Sequence, residues 1–388
     1  MTRAGGVVAS EPVVRFLDPT TPGAREIWLE LERQAAPPYF LCWGWISTWL
    51  ASLPPAETPR LGLLLVHDLP VAAFFLGRRH LLRNLFVASH ALYLNATGRL
   101  RWDELTIEHN AVLCAPGTAL TLAALVRALP ERWDELFLPA LARESYPGNA
   151  LEETVPGVVV RIDAEIAAPY VDLAEVRAAP GGYLGLLRAG TRAQLRRTER
   201  GFGVTELEVA ADARQALEIY GELVGLHTRT WRSRGLPGAF ADPWFNDFHR
   251  KLIGERFDHG EVQLLRLRVR DGGATIGCLY NLVAGGRVLY YQGGFASFDD
   301  PRLKPGYLCH AAAVNYNASV GHAVYDLLGG DARYKSSLGT RQAHVVSARL
   351  QRRRVRFEVE ELLRGWWRRA RRTREVASPG APAPASPD

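Results

Sequence analysis

Two stretches in the C-terminal third carry residue types that do chemistry at a spacing that matters. In Arg302-Leu303-Lys304-Pro305-Gly306-Tyr307-Leu308, the proline stands where a first helical residue would. Gly306, Tyr307 and Leu308 then present unpaired N–H groups and the positive end of a helix to an anion, with Arg302 and Lys304 as two nearby cations. The plainer alternative is a proline-initiated helix preceded by solvated basic residues. Further on, Asp331, Tyr334 and Lys335 follow Gly329-Gly330 at the end of an apolar run. For group transfer to an amine or hydroxyl, Asp331 suits the general base or the acceptor-orienting group, and Tyr334 suits the acid that protonates a leaving group. Lys335 suits a point charge for a phosphate or an oxyanion. The alternative is a turn in which Asp331 caps the backbone and pairs with Lys335.

Three other groups have both a chemical and a structural reading. Arg188, Arg192, Arg196 and Arg200 recur every four residues on one helix face, with Arg197 beside them. Like charges so spaced cost about 0.2–0.5 kcal/mol per pair, so Arg192 and Arg196 are candidates to hold an anionic acceptor; the alternative is a solvated face. Glu108 and His109 lie in Asp103-Glu104-Leu105-Thr106-Ile107-Glu108-His109-Asn110, where the alternation of Leu105 and Ile107 favours a strand with a solvated polar face. Glu108 nevertheless stands as a candidate acceptor-site residue in a cleft between two halves of the chain. His227 shares a helical face with Leu217, Tyr220, Val224 and Trp231 and reads as a core histidine.

The elements that must position these groups follow from periodicity and turn chemistry. Residues 262–269, 275–283 and 288–293, separated by Asp271-Gly272-Gly273 and Gly285-Gly286, form an antiparallel meander. A helix over 306–320 follows, then a strand over 323–328, parallel to the meander's last strand because it is too distant for a hairpin. Upstream, residues 183–200 and 213–234 read as helices. In the first 155 residues, the runs 61–66 and 71–76 flank a turn at His67-Asp68-Leu69-Pro70, and 118–129 and 136–138 read as helix and strand.

The 388 residues carry 47 Lys and Arg against 41 Asp and Glu, a net charge of +6. Eleven arginines and five acids fall after residue 348, leaving 36 of each sign before them, so the body is neutral and a large DNA-binding surface is not expected. The four cysteines lack metal-ligand spacing, and no P-loop, dinucleotide fingerprint, zinc-protease helix or serine-nucleophile elbow is present. With no apolar run of about 18 residues and no apolar leader, a cytoplasmic protein is expected. Residues 351–376 read as a basic helix bearing Trp366 and Trp367, docked on the body of the protein or, alternatively, suited to peripheral contact with the inner face of a membrane or with a protein, and 377–388 as a disordered Pro/Ala tail.

In order along the chain, Tyr290-Tyr291-Gln292-Gly293-Gly294-Phe295, Lys304-Pro305-Gly306-Tyr307-Leu308, Tyr325-Asp326-Leu327-Leu328-Gly329-Gly330-Asp331 and Tyr334-Lys335 resemble the GNAT acyltransferase superfamily. Gln194 to Arg200 and Leu226 to Trp231 add to a resemblance to its CelD/BcsL-type acetyltransferases, relatives of the Fem aminoacyl-transferases with two GNAT-like halves. It departs from the family's phosphate loop at Leu303, where Gln or Arg is usual. The resemblance implies an α+β chain of tandem GNAT-like domains, each a mixed, mostly antiparallel sheet flanked by helices, with halves at 1–155 and 156–350. It implies an acetyl-CoA donor without a metal, its pantetheine paired with Tyr291, Gln292 and Gly293 and its phosphates at Arg302, Lys304, Gly306, Tyr307 and Leu308. The acceptor is then a small molecule, such as a sugar or amine, or a polysaccharide precursor. A Fem-like transfer from aminoacyl-tRNA and a catalytically degenerate scaffold in polysaccharide assembly are the alternatives.

Overall fold

A computed structural model describes residues 13–363 apart from 84–86, 106, 119, 131, 143–149 and 271–272. The strands are β1 (Val13–Leu17), β2 (Arg60–Val66), β3 (Leu69–Arg83), β4 (Val87–Leu94), β5 (Leu113–Cys114), β6 (Glu135–Ala142), β7 (Val158–Asp172), β8 (Thr205–Val209), β9 (Val262–Val269), β10 (Thr275–Ala284), β11 (Arg287–Phe295), β12 (Val324–Asp326) and β13 (Arg341–Arg352). The helices are α1 (Ala24–Ala35), α2 (Trp43–Ser52), α3 (Leu100–Asp103), α4 (Leu122–Ala128), α5 (Leu173–Ala178), α6 (Gly182–Leu186), α7 (Ala189–Phe202), α8 (Ala213–Ser233), α9 (Pro243–Arg256), α10 (Pro305–Ser319) and α11 (Arg333–Leu338). Residues 355–363 are also helical.

Local chemistry explains the meander. Gly285 and Gly286 both take positive φ in a two-residue turn between Ala284 and Arg287, the geometry whose twist matches paired strands. His67 and Asp68 do the same between Val66 and Leu69, so the strand after that turn begins at Leu69 rather than at Val71. Asp212 and Asp242 cap α8 and α9 by accepting from Gln215 and Trp244 amides at 2.7 and 2.9 Å. The helix expected over 183–200 is two, α6 and α7, broken at Leu187-Arg188.

All thirteen strands join one sheet, in the order β1-β2-β3-β4-β6-β13-β7-β12-β11-β10-β9-β8, with β5 beside β3. The order has an internal two-fold logic. β2-β3-β4, α4 and a parallel β6 are repeated as β9-β10-β11, α10 and a parallel β12. The long strands β7 and β13 pair antiparallel at the centre, from Arg341↔Tyr170 to Arg352↔Val158. The C-terminal strand β13 therefore lies against β6 of the first half as well as β7 of the second. Successive side chains of β3 enter different cores: Ala73 and Phe75 join a cluster with α1, α2, α8 and α9 that spans both halves, whereas Ala72, Phe74 and Leu76 pack toward α4. A third cluster packs α10 and α5 on the second half. In the helix 355–363, Phe357 and Glu360 are buried while Leu362 and Leu363 are exposed. Trp366, Trp367 and the tail from 377 lie outside the described residues.

Candidate active site

The parallel pairing of β11 with β12 lasts three positions, Arg287↔Val324, Val288↔Tyr325 and Leu289↔Asp326. Beyond it the chain leaves the sheet at Leu328, a non-glycine residue at φ 59°. The last half of β11 is left without that neighbour, and a cavity of about 620 Å³ opens between it, the start of α10, the end of α8 and the loop carrying Glu108.

At the head of α10, Pro305 occupies the first helical position and no side chain caps the helix. Tyr307 and Leu308 amides donate back to Lys304 O, at 3.0 and 3.4 Å, so among the described residues the amide left for a ligand is that of Gly306. Leu303 does not face this cavity; it packs where a Cβ on Gly201 of α7 would lie. Thr198 and Gln194 of α7 fasten the same loop, accepting from Lys304 N at 3.3 Å and donating to Arg302 O at 2.5 Å. The glycine at 294 makes room for the Leu223 carbonyl of α8 rather than for a ligand.

Glu108 is the acidic side chain of the cavity. The solvated strand expected around it is instead a loop that carries Glu108 and His109 into the contact between the halves, each only 8% exposed. Its Oε2 accepts from Gly329 N at 2.7 Å. Burial raises the Glu108 pKa above the ordinary carboxylate value and the nearby Asp326 charge adds to this, while the Gly329 N–H and Lys335 oppose it. Lys335 Nζ donates to Gly329 O at 2.6 Å and is lowered by burial against the pull of Glu108 and Asp326. Behind them, His109 Nε2 lies 3.0 Å from Asp326 Oδ2, which also accepts from Arg287 at 2.6 Å. Burial works against ionisation of Asp326, but these contacts hold its pKa below the usual carboxylate value.

Tyr334 lines the same cavity. Burial raises its pKa, and a hydrogen bond with Tyr290 opposes this. His310 stacks on Tyr334 at 5.7 Å between centroids, and burial lowers its pKa to about 3, so the ring is neutral. His227 is likewise lowered to about 4 by burial, and its Nδ1 has no hydrogen-bond partner among the described residues. It lines the cavity rather than being a satisfied core group.

Of the residues singled out in the sequence, Glu108, Tyr291, Gln292, Gly293, Lys304, Gly306, Tyr307, Tyr334 and Lys335 meet in this one cavity. Others do not. Asp331 is exposed and absent from the lining, so the carboxylate facing the cavity is Glu108. Arg302 is held by Asp300 at 2.9 Å, and Leu308 is buried in the core beneath α10. Arg192 and Arg196 lie on α7, outside the cavity. Sequence reasoning missed His310 and the wall formed by Thr230, Trp231 and Arg234. The last three fall at helical spacing with His227, a periodicity that also marks a core face.

The parallel strand pair splays beside this uncapped helix start. Residues 187–336 match the model of the acetyltransferase (GNAT) domain family. The matched segment runs from two residues before α7 into α11 and contains the splayed strands and the open helix start. No curated protein matches the chain in sequence. Among solved structures, the crystal structure of FemX superposes with a TM-score of 0.54 at 10% identity, covering 81% of this chain and 93% of that one. A conserved protein of unknown function from Bacteroides thetaiotaomicron VPI-5482 gives 0.51 at 11% identity, covering 88% and 100%. The chain thus has an α+β fold of GNAT type, a mixed sheet with flanking helices. Among the described residues no group of three or more His, Cys, Asp or Glu is arranged to hold a metal, and no helix is long and apolar enough to cross a membrane.

Proposed function

We propose that this chain is an acyl-CoA-dependent acetyltransferase acting on an amine or hydroxyl of a small molecule or polysaccharide precursor. The observation that carries the reading is the uncapped start of α10, where the open Gly306 amide and Lys304 face the cavity into which β11 splays. Such a helix start suits a pyrophosphate, and the free edge of Tyr290 to Gly293 suits an amide-bearing arm. The thioester supplies the acyl group. Glu108 takes the acceptor's proton as the new C–N or C–O bond forms; its raised pKa brings it nearer the working range of a base. Tyr334 gives its proton to the sulfur as the C–S bond breaks. Lys335 holds the turn that presents Gly329 to Glu108.

Calorimetric titration with acetyl-CoA, free CoA and a desulfo analogue at fixed salt tests this. Saturable binding lost in Gly306→Pro supports it, and no binding by the folded protein removes it. A second reading, aminoacyl transfer from tRNA, is favoured by one observation: no ion pair is formed by Arg188, Arg192, Arg196 or Arg200 among the described residues, and their helix abuts the loop that opens α10. An RNA titration with a steep salt dependence would select it.

A further inference from the structure

One wall of the active-site cavity has no part in the chemistry proposed above. His227, Thr230, Trp231 and Arg234 follow one another at helical spacing along the end of α8 and so share one face of it. Behind them the chain turns back through Gly238, at φ 75°, where a Cβ would stand 3.0 Å from Trp231 and 3.1 Å from His227. The turn therefore presses on both rings and holds them in place. Phe240 adds a T-shaped contact with His227 at 4.8 Å between centroids. Arg234 stands over Trp231, its guanidinium carbon 5.7 Å from the ring centroid. It is exposed and forms no ion pair among the described residues. The other charged side chains of the lining already have work: Glu108 and Lys335 bond the amide and the carbonyl of Gly329, and Lys304 stands at the head of α10. His227 contributes no charge, because burial lowers its pKa to about 4.

We infer that this wall is the acceptor's subsite and that the acceptor carries an anionic group, a carboxylate or a phosphate, which Arg234 binds beside the Trp231 ring. The inference rests on the acetyltransferase reading above and narrows its substrate class. A guanidinium without a protein partner presents a planar fork of N–H donors that matches two oxygens of either anion. Its contact with an aromatic face restrains the side chain before the ligand arrives, which lowers the entropic cost of binding. Among the charged side chains of the lining, Glu108 is the acid against Lys304, Lys335 and Arg234, so the cavity draws anions rather than cations. With the donor's phosphates at the head of α10, Arg234 at the end of α8 is the cation left for the acceptor. Glu108 reaches the same cavity from a different element, so an acceptor held at one end by its charge can bring its amine or hydroxyl to the base.

The test is calorimetry on the full chain with free CoA present, which carries no acyl group to transfer. Two pairs of amines serve as probes: L-phenylalanine against phenethylamine, which differ by a carboxylate, and glucosamine 6-phosphate against glucosamine, which differ by a phosphate. In at least one pair the anionic member is expected to bind about tenfold more tightly, and the pair that discriminates identifies the anion. Arg234→Gln, at an exposed position that tolerates substitution, should erase the difference. Arg234→Lys, which keeps the charge without the fork, should restore part of it. The Kd of CoA should be the same in both variants. Equal affinities within both pairs, or a preference that survives Arg234→Gln, would overturn the inference. So would a weaker CoA affinity in Arg234→Gln, which would assign the arginine to the donor. Failure of the folded wild-type protein to bind CoA is a separate result: it would remove the acetyltransferase reading, and this inference with it.

Discussion

The carboxylate of Glu108, from the first half, accepts the Gly329 amide of the second at 2.7 Å inside the cavity that α10 opens onto. In the proposed mechanism this group takes the acceptor proton. Glu108→Gln keeps an acceptor for the Gly329 amide but cannot take a proton. It should lower kcat about 10²–10⁴-fold while the acetyl-CoA Kd, read by calorimetry, barely moves. Because burial raises the pKa of Glu108, kcat/KM of the wild-type protein should rise with pH through an inflection above 4.5, and the variant should lose that limb.

Gly306→Pro removes the open amide at the head of α10 and places a Cβ about where it would contact the Phe295 ring at 3.5 Å. Its acetyl-CoA Kd should rise about tenfold or more, the loss of one charge-assisted hydrogen bond. Lys304→Ala, at an exposed cation, should cost less and lose its effect at high salt.

Asp331→Asn separates the turn at 329–331 from its exposed acid. Since Asp331 lies outside the cavity lining, transfer rates should stay within about twofold of wild type, as for a surface substitution. A large fall in kcat with unchanged donor affinity would return the base to Asp331.

His109 joins the halves through buried Asp326, which keeps Arg287 and the Leu328 amide as partners if His109 is lost. His109→Ala should therefore destabilise the chain by about 1–3 kcal/mol, seen as a lower denaturant midpoint.

His249 is fully buried among Trp45, Phe245, Phe248, Tyr280 and Tyr291, and burial lowers its pKa from 6.5 to about 3. The unfolded chain binds a proton below pH 6.5 that the folded chain refuses. The stability from this group is complete above 6.5 and is lost as the pH falls toward 3. In His249→Met the slope of stability against pH over that window should be shallower by about 1.4 kcal/mol per unit, measured by urea titrations.

What the chain's own order of residues determined is local. Gly285-Gly286 sets the hairpin, Pro305 sets the start of α10, and the apolar run before Gly329 sets the crossover strand, because turn conformation and side-chain period depend on neighbours in sequence. Those elements bring Gly306, Lys304, Tyr334 and Lys335 together, and they were legible. The acid was not. Glu108 reaches Gly329 across 221 residues only because β7 and β13 pair at the centre and join both halves into one sheet. The alternation of Leu105 and Ile107 reads as a strand in isolation, and only burial between the halves makes it a loop that delivers a carboxylate. The same tertiary packing decided that Asp331 faces solvent and that Leu303 serves α7, since exposure depends on what the rest of the chain lays over a residue.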